Sequence, residues 1–361
     1  MEKSFISPFT MTPGIAGKAL VSTHYSDEII ANFDAENSYK YVYKIVGLRG
    51  SGKSVEYSQV IEHFKQEKNW LVYTLSAGGD PIQTLIAHLS QENFIDQKSY
   101  RNSVESTVTA GGTLPVFSAD ASIKKTTHSS DNDRYYSAEA ALKSMLKTAK
   151  ENHYRILIGI DDISKTDATV RFLSILGTIL MESDMDVRFI CTGLSKNIED
   201  FVHIPHLSFF VRNESIVMKP LNLHDIALKY QELLSISYPE SVALSKFTQG
   251  YAYGYQVLGE ICFTKGKSKI DEDVLDAFDA MIAPQYDLIW ETLTPSEKDL
   301  LKIILNSDKG TVAEIKKEMT SPASFSSLRD RLSKKHMILS PARGELIVPL
   351  PRFKEYVTLW E

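Results

Sequence analysis

The sequence predicts an α/β protein, a doubly wound parallel sheet of five strands, followed by an all-helical unit and a C-terminal winged helix-turn-helix. Three observations predict it. Between residues 41 and 218, five short β-rich or apolar runs alternate with stretches of helical periodicity. From Asn222 the strands stop and amphipathic helical patterns take over. From residue 291 the order becomes helix, helix, helix, then two short strands around a turn. The expected divisions are 1–221, 222–290 and 291–361, with a β-hairpin insertion at about 100–135 in the first.

Residues 1 to about 38 read as an irregular lead-in with a short helix from Asp27 to Phe33. Tyr41-Val42-Tyr43-Lys44-Ile45-Val46 is β-rich and ends at Gly47. The stretch Gly47-Leu48-Arg49-Gly50-Ser51-Gly52-Lys53-Ser54 then fits the phosphate-binding pattern G-x-x-x-x-G-K-[ST] at every fixed position. Its glycines let successive backbone N–H groups curl around an anion. Lys53 supplies a charge for the β- and γ-phosphates, and the Ser54 hydroxyl is placed for Mg²⁺. Tyr57, Val60, Ile61 and Phe64 recur at helical spacing after the loop, so a helix N-terminus faces the phosphates. The candidate nucleotide contacts are Gly47, Arg49, Gly50, Ser51, Gly52, Lys53, Ser54 and Val55. Phe9, in Ser7-Pro8-Phe9, either lies over the base as the lead-in passes the loop or merely tethers the chain.

Trp70 to Leu75 reads as a buried strand, and Asp80-Pro81 opens a helix as N-cap and first residue. The Ser/Thr/Val-rich runs Val104 to Thr109 and Ser118 to Thr127 flank Gly111-Gly112, which suggests the hairpin insertion. A helix from Ser137 to Asn152 follows. Ile156-Leu157-Ile158-Gly159-Ile160 is a continuous apolar run, as in a strand buried on both faces, and it ends in Asp161-Asp162. Ligands bind at the C-terminal ends of such strands. Asp161 is thus the candidate Mg²⁺ ligand in the Walker B role, and Asp162 the candidate to orient or deprotonate an attacking water. The strand Val187 to Thr192 ends on a hydroxyl suited to the γ-phosphate or the lytic water. Phe209 to Asn213 and the strand Glu214 to Met218 complete the sheet.

Four helices follow, at Asn222–Ser235, Pro239–Thr248, Tyr251–Thr264 and Asp271–Ile289. Tyr251, Tyr253 and Tyr255 open the third, and either contact the base, with Tyr255 the candidate, or fill the seam between domains. Thr294-Pro295-Ser296-Glu297 is a capping box starting the last unit. Its third helix carries Arg329, Arg331, Lys334 and Lys335, and its turn Arg343, candidate contacts for duplex DNA. Asp330, Glu314, Glu318 and Glu345 dilute that charge, and the chain as a whole is acidic, with a net charge of −6. A protein contact therefore suits this surface at least as well. Cys191 and Cys262 lack metal-ligand spacing and read as small buried hydrophobes of a reducing compartment. With no apolar leader or membrane-length run, a cytoplasmic location without a membrane partner is expected.

Together these stretches resemble the AAA+ ATPases of bacteria and archaea related to the STAND signalling ATPases, with a fold similar to the replication-initiator ATPases of archaea and eukaryotes. The resemblance rests on Ser7 to Thr10, Gly47 to Ser54, Ile156 to Asp162, Thr192-Gly193-Leu194, Arg212 to Leu221, Gly250 to Tyr253 and Leu293 to Glu297. It implies ATP or ADP with Mg²⁺ between the α/β domain and the helical lid. It further implies a sensor-1 role for Thr192 and an arginine-finger role for Arg212, which would require an oligomer if exerted in trans. Two departures matter. Asp162 stands where many members have Glu, as in the slow STAND switches. No arginine occurs between Gly250 and Gly259, where initiators place sensor 2. The expected function is an ATP-binding switch with slow Mg²⁺-dependent hydrolysis and an unidentified protein partner. The alternative is an ATP-regulated DNA-binding protein acting through the winged helix. A small-molecule kinase would need an arginine-rich lid, which this chain lacks.

Overall fold

Five parallel strands form one sheet in the order β2-β3-β4-β1-β5, with β1 at Val42–Val46, β2 at Trp70–Leu75, β3 at Arg155–Ile160, β4 at Val187–Gly193 and β5 at Ser215–Val217. The computed structural model describes residues 6–36, 38–95, 131–182, 185–213 and 215–359. Val46 pairs with Gly193 on one side and Val217 on the other, which puts β1 at the centre of the functional edge. Helices cover both faces, because the strands are apolar on both. On one face α1 (Tyr25–Asp34) and α2 (Lys53–Lys65) bury Ile29, Phe33, Val60, Ile61 and Phe64. On the other, α3 (Pro81–Leu89), α4 (Asp131–Glu151) and α5 (Asp167–Ile179) bury Leu85, Leu142, Leu146, Phe172 and Leu176.

Local chemistry sets several boundaries. Asp80 caps α3 by accepting from the N–H groups of Ile82 at 3.0 Å and Gln83 at 3.2 Å, ahead of Pro81. Two short helices follow β4, α6 (Ser195–Glu199) and α7 (Ser208–Arg212). The second is fastened to the sheet by Lys44, a buried lysine whose ammonium donates to the carbonyl of Phe210 at 2.6 Å. Burial lowers the pKa of Lys44, and the helix-end carbonyls compensate by accepting its protons. Of the expected hairpin insertion, residues 96–130 lie outside the described residues. Residues 131–135 are not hairpin but the first turns of α4, which begins six positions before the expected Ser137. The segment 131–136 has no apolar stripe, so periodicity is silent where the helix starts.

Beyond β5 come α8 (Leu223–Leu234), α9 (Tyr238–Phe247), α10 (Ala252–Lys265) and α11 (Glu272–Glu291). Then follow α12 (Pro295–Asn306), α13 (Val312–Glu318), α14 (Phe325–Lys334) and α15 (Phe353–Thr358). The capping box at Thr294 is present, with the Thr294 N–H donating to Glu297 at 2.7 Å. An antiparallel bridge joins Leu339 to Ile347 around the 341–344 turn, and a second joins Glu345 to Thr311, ahead of α13. The helix α15 was not expected from periodicity, being less than two turns long. Cys191 and Cys262 are free and buried. One hydrophobic cluster runs without a break from Ile226 to Val357, taking in Tyr255, Phe278, Tyr286, Leu301, Phe325 and Phe353.

The lead-in is packed into that same cluster. Phe9 is 4% exposed, with its ring 5.9 Å from those of both Tyr230 and Tyr255. It does not line the cavity described below. An aromatic ring flanked by two others and a glycine gains more from full burial there than from a half-open cleft. A Cβ at Gly259 would sit 2.3 Å from Phe9 Cδ1. Gly259→Ala is therefore expected to displace the strap and cost about 1–3 kcal/mol. Denaturant unfolding measures this, and an unchanged midpoint would mean that Phe9 does not pack there.

Candidate phosphate-binding site

The loop between β1 and α2 turns through two glycines at positive φ, Gly50 at 75° and Gly52 at 94°. The α2 N-terminus starts immediately, with the Val55 N–H bonded back to the Gly52 carbonyl at 3.0 Å. Lys53 is nine-tenths enclosed and turns its ammonium onto the loop's own carbonyls, Leu48 at 2.9 Å and Gly47 at 3.3 Å. Burial pulls its pKa down to about 8, against the opposing attraction of Asp162. An anion placed in the loop would relieve that penalty. Arg49 Nε and Ser51 Oγ are buried and have no hydrogen-bond partner among the described residues. Two such orphaned groups on a loop that leads into a helix N-terminus suit an anionic ligand such as phosphate.

The acidic pair is joined to the loop by hydroxyls. Ser54 Oγ donates to Asp161 Oδ1 at 3.1 Å, and Thr192 Oγ1 donates to the same oxygen at 2.5 Å. Thr192 Oγ1 in turn accepts from the Asp162 N–H at 2.9 Å, while its carbonyl accepts from the Ile163 N–H at 2.8 Å. Thr192 therefore builds the turn after β3 as well as orienting its carboxylate. Asp162 sits in the left-handed region at φ 53° with its side chain exposed, a conformation that Asp and Asn tolerate better than most residues. Because β4 lies between β1 and β3, Thr192 falls between the loop and the acidic pair, as the order of the strands requires.

Above this floor is a cavity of about 470 Å³. Loop residues Arg49 to Glu56, with Asp161, Asp162 and Thr192, form one side, and α10 contributes Tyr253, Tyr255 and Gln256. The lead-in, from Thr10 to Val21, supplies much of the rest. That volume lies in the range of about 300–1,000 Å³ usual for small-molecule sites. Gly47 does not line the cavity. It is buried beneath the loop, where a Cβ would lie 2.8 Å from Ser51 Oγ and 3.0 Å from the Met218 side chain. Tyr255 does line it, with its hydroxyl donating to the Ala19 carbonyl at 3.0 Å.

Arg212 is not brought to this cavity. It ends α7, exposed, at the N-terminal side of β5, whereas the loop stands at the C-terminal ends of the strands. Sequence reasoning also missed residues that only packing brings near. Thr10 is fixed when its N–H donates to Gln256 Oε1 at 3.0 Å, across 246 positions. His336, beyond α14, has Nε2 2.7 Å from Ser195 Oγ, and burial and nearby Lys53 both lower its pKa. No local spacing signals either contact.

Four of the five cations expected to face DNA, all but Arg343, have acidic partners in the chain. Lys335 and Arg331 bind Glu297 at 2.7 Å and 3.1 Å, Lys334 reaches Glu199 at 3.4 Å, and Arg329 pairs with Asp330 at 2.8 Å. Among the described residues, no cluster of His, Cys, Asp and Glu forms a metal site of three or more, and no helix is long and apolar enough to cross a membrane.

A family model described as Domain of unknown function (DUF8462) matches residues 285–357. Comparison with curated proteins gives no match. Among solved structures, the chain is similar to a Walker-type ATPase of Pyrococcus abyssi, with a TM-score of 0.63 and 11% identity over 97% of this chain and 99% of that one. It is also similar to the Aeropyrum pernix ORC2 protein in its ADPNP–ADP complexes, with a TM-score of 0.52 and 12% identity over 94% of each chain. At these identities the likeness is one of fold. The fold shared is an α/β one built on a five-stranded parallel sheet, as the alternating strand and helix patterns led one to expect.

Proposed function

We propose that the chain binds ATP as its Mg²⁺ complex and hydrolyses it slowly, and that occupancy of the loop sets the position of the helices behind it. The observation that carries this reading is the hydroxyl-linked group Ser54–Asp161–Thr192 beside a loop with two orphaned buried polar groups. In this reading Lys53 leaves the Leu48 carbonyl for the phosphates, and the α2 N-terminus and Arg49 bind the remaining oxygens. Ser54 and Asp161 would hold Mg²⁺, which when bound neutralises charge on the β- and γ-phosphates. Asp162 orients a water and takes its proton as the water oxygen attacks the γ-phosphorus. The bond to the β–γ bridging oxygen breaks and ADP leaves. Thr192 keeps the two carboxylates in register.

The working division is a nucleotide-binding unit of 1–221, a helical lid of 222–290 and a winged-helix unit of 291–361. The unbroken core from Ile226 to Val357 favours the last two moving as one body. Arg212, exposed and off its own cavity, would act only on a neighbouring copy in an oligomer. A cytoplasmic setting suits the free cysteines.

The deciding experiment is titration calorimetry with Mg·ATP, together with phosphate release and solution mass with and without ATP. Saturable binding with turnover well under the ~10 s⁻¹ median of enzymes is expected, and the absence of binding overturns the reading. The alternative, a DNA-binding regulator, has its four helix cations already paired, so duplex DNA is expected not to be retained at about 0.15 M salt. Retention whose salt dependence weakens in Arg329→Ala would reverse that preference.

A further inference from the structure

We infer that Tyr251 is a positioning residue for the phosphate loop and couples the loop to the C-terminal segment 351–356. This rests on the loop being the nucleotide site. Four consecutive carbonyls, from Gly47 to Gly50, are each tethered. Lys53 holds those of Gly47 and Leu48. The Tyr251 hydroxyl donates to Arg49 at 2.9 Å, and the Tyr253 N–H donates to Gly50 at 2.9 Å. Both of these come from the first turn of α10 and its N-cap. The approach is close enough to dictate Gly50, where a Cβ would lie 2.3 Å from the Tyr251 hydroxyl.

When phosphate draws Lys53 away, the Gly47 carbonyl loses its donor and the Leu48 carbonyl keeps the Ser51 N–H at 3.2 Å. The tethers that remain on Arg49 and Gly50 then carry any shift of the loop into α10. Tyr251 is 5% exposed and its hydroxyl bonds the Arg49 carbonyl, so the ring cannot swing aside without leaving buried groups unpaired. It stacks on Tyr286, with centroids 6.3 Å apart and planes inclined by 27°. Tyr286, fully buried, donates to the Pro351 carbonyl at 2.6 Å and meets Phe353 edge-on at 4.9 Å. A continuous set of packed, hydrogen-bonded rings thus joins the loop to the end of the chain. It stands where the chain has no sensor-2 arginine.

The test uses the full chain with Mg·ATP, reading affinity by calorimetry and amide exchange over 352–357. Wild type is expected to bind and to change its exchange in that segment. Tyr251→Phe keeps the ring and loses the hydroxyl. It is expected to lower affinity about two- to tenfold, the worth of one neutral hydrogen bond, and to lose most of the exchange response. Tyr230→Phe removes a hydroxyl equally buried in the same helical unit, bonded to the Tyr255 carbonyl at 2.7 Å. It is expected to lower the melting temperature comparably while keeping the exchange response and affinity. If both variants behave alike, or wild type binds without any exchange response, the coupling is overturned. If wild type binds no Mg·ATP, the site reading falls and the inference with it.

Discussion

Replacing Lys53 with alanine is expected to weaken Mg·ATP binding by about 10- to 150-fold, the worth of one hydrogen bond to a charged group at roughly 1.5–3 kcal/mol. The ammonium is nine-tenths enclosed, so a phosphate partner would interact with it at low local dielectric and with little competing water. Calorimetry reads the affinity directly. Because Lys53 also holds the Leu48 carbonyl, the variant's melting curve needs recording beside it. A folded Lys53→Ala protein with undiminished affinity would remove the nucleotide from this loop. Lys53→Arg is not a neutral control, since the fork-shaped guanidinium is too wide for a pocket shaped around one ammonium.

The second large effect is expected at Asp162. Asp162→Asn should slow phosphate release by about 100- to 10,000-fold, the range for loss of a general base, with Mg·ATP affinity kept within about threefold. Asparagine is the right replacement because it too accepts the left-handed backbone that Asp162 adopts at φ 53°. The Thr192 hydroxyl can then still accept from residue 162, so the turn survives while the carboxylate is lost. Single-turnover phosphate release on a nucleotide-saturated protein separates this from a binding defect. Turnover at the wild-type rate would mean that Asp162 is not the base.

Features set within a few residues were legible beforehand. The loop, the acidic strand end and the capping residues Asp80 and Thr294 each depend on spacing of eight residues or fewer. Arg212 and Phe9 were harder. Arg212 belongs to the expected segment but stands at the far end of β5, because a short helix pinned by buried Lys44 fixes where that segment lies. Phe9 passes near the loop but finds Gly259 and two tyrosines, which no local pattern announces.

The sequence by itself therefore determined that a phosphate loop, an acidic pair and their hydroxyl partner share one edge of a parallel sheet. Local hydrogen bonding and side-chain periodicity decide those elements, and both are written in neighbouring residues. Only the tertiary structure decided what surrounds them: the lead-in as cavity wall, Arg331 and Lys334 of α14 paired with Glu297 and Glu199, and Tyr251 gripping the loop. The Tyr251–Arg49 bond spans 202 positions. Such contacts depend on how whole helices pack against the sheet, and that is set by the sum of many buried surfaces rather than by any one stretch of chain.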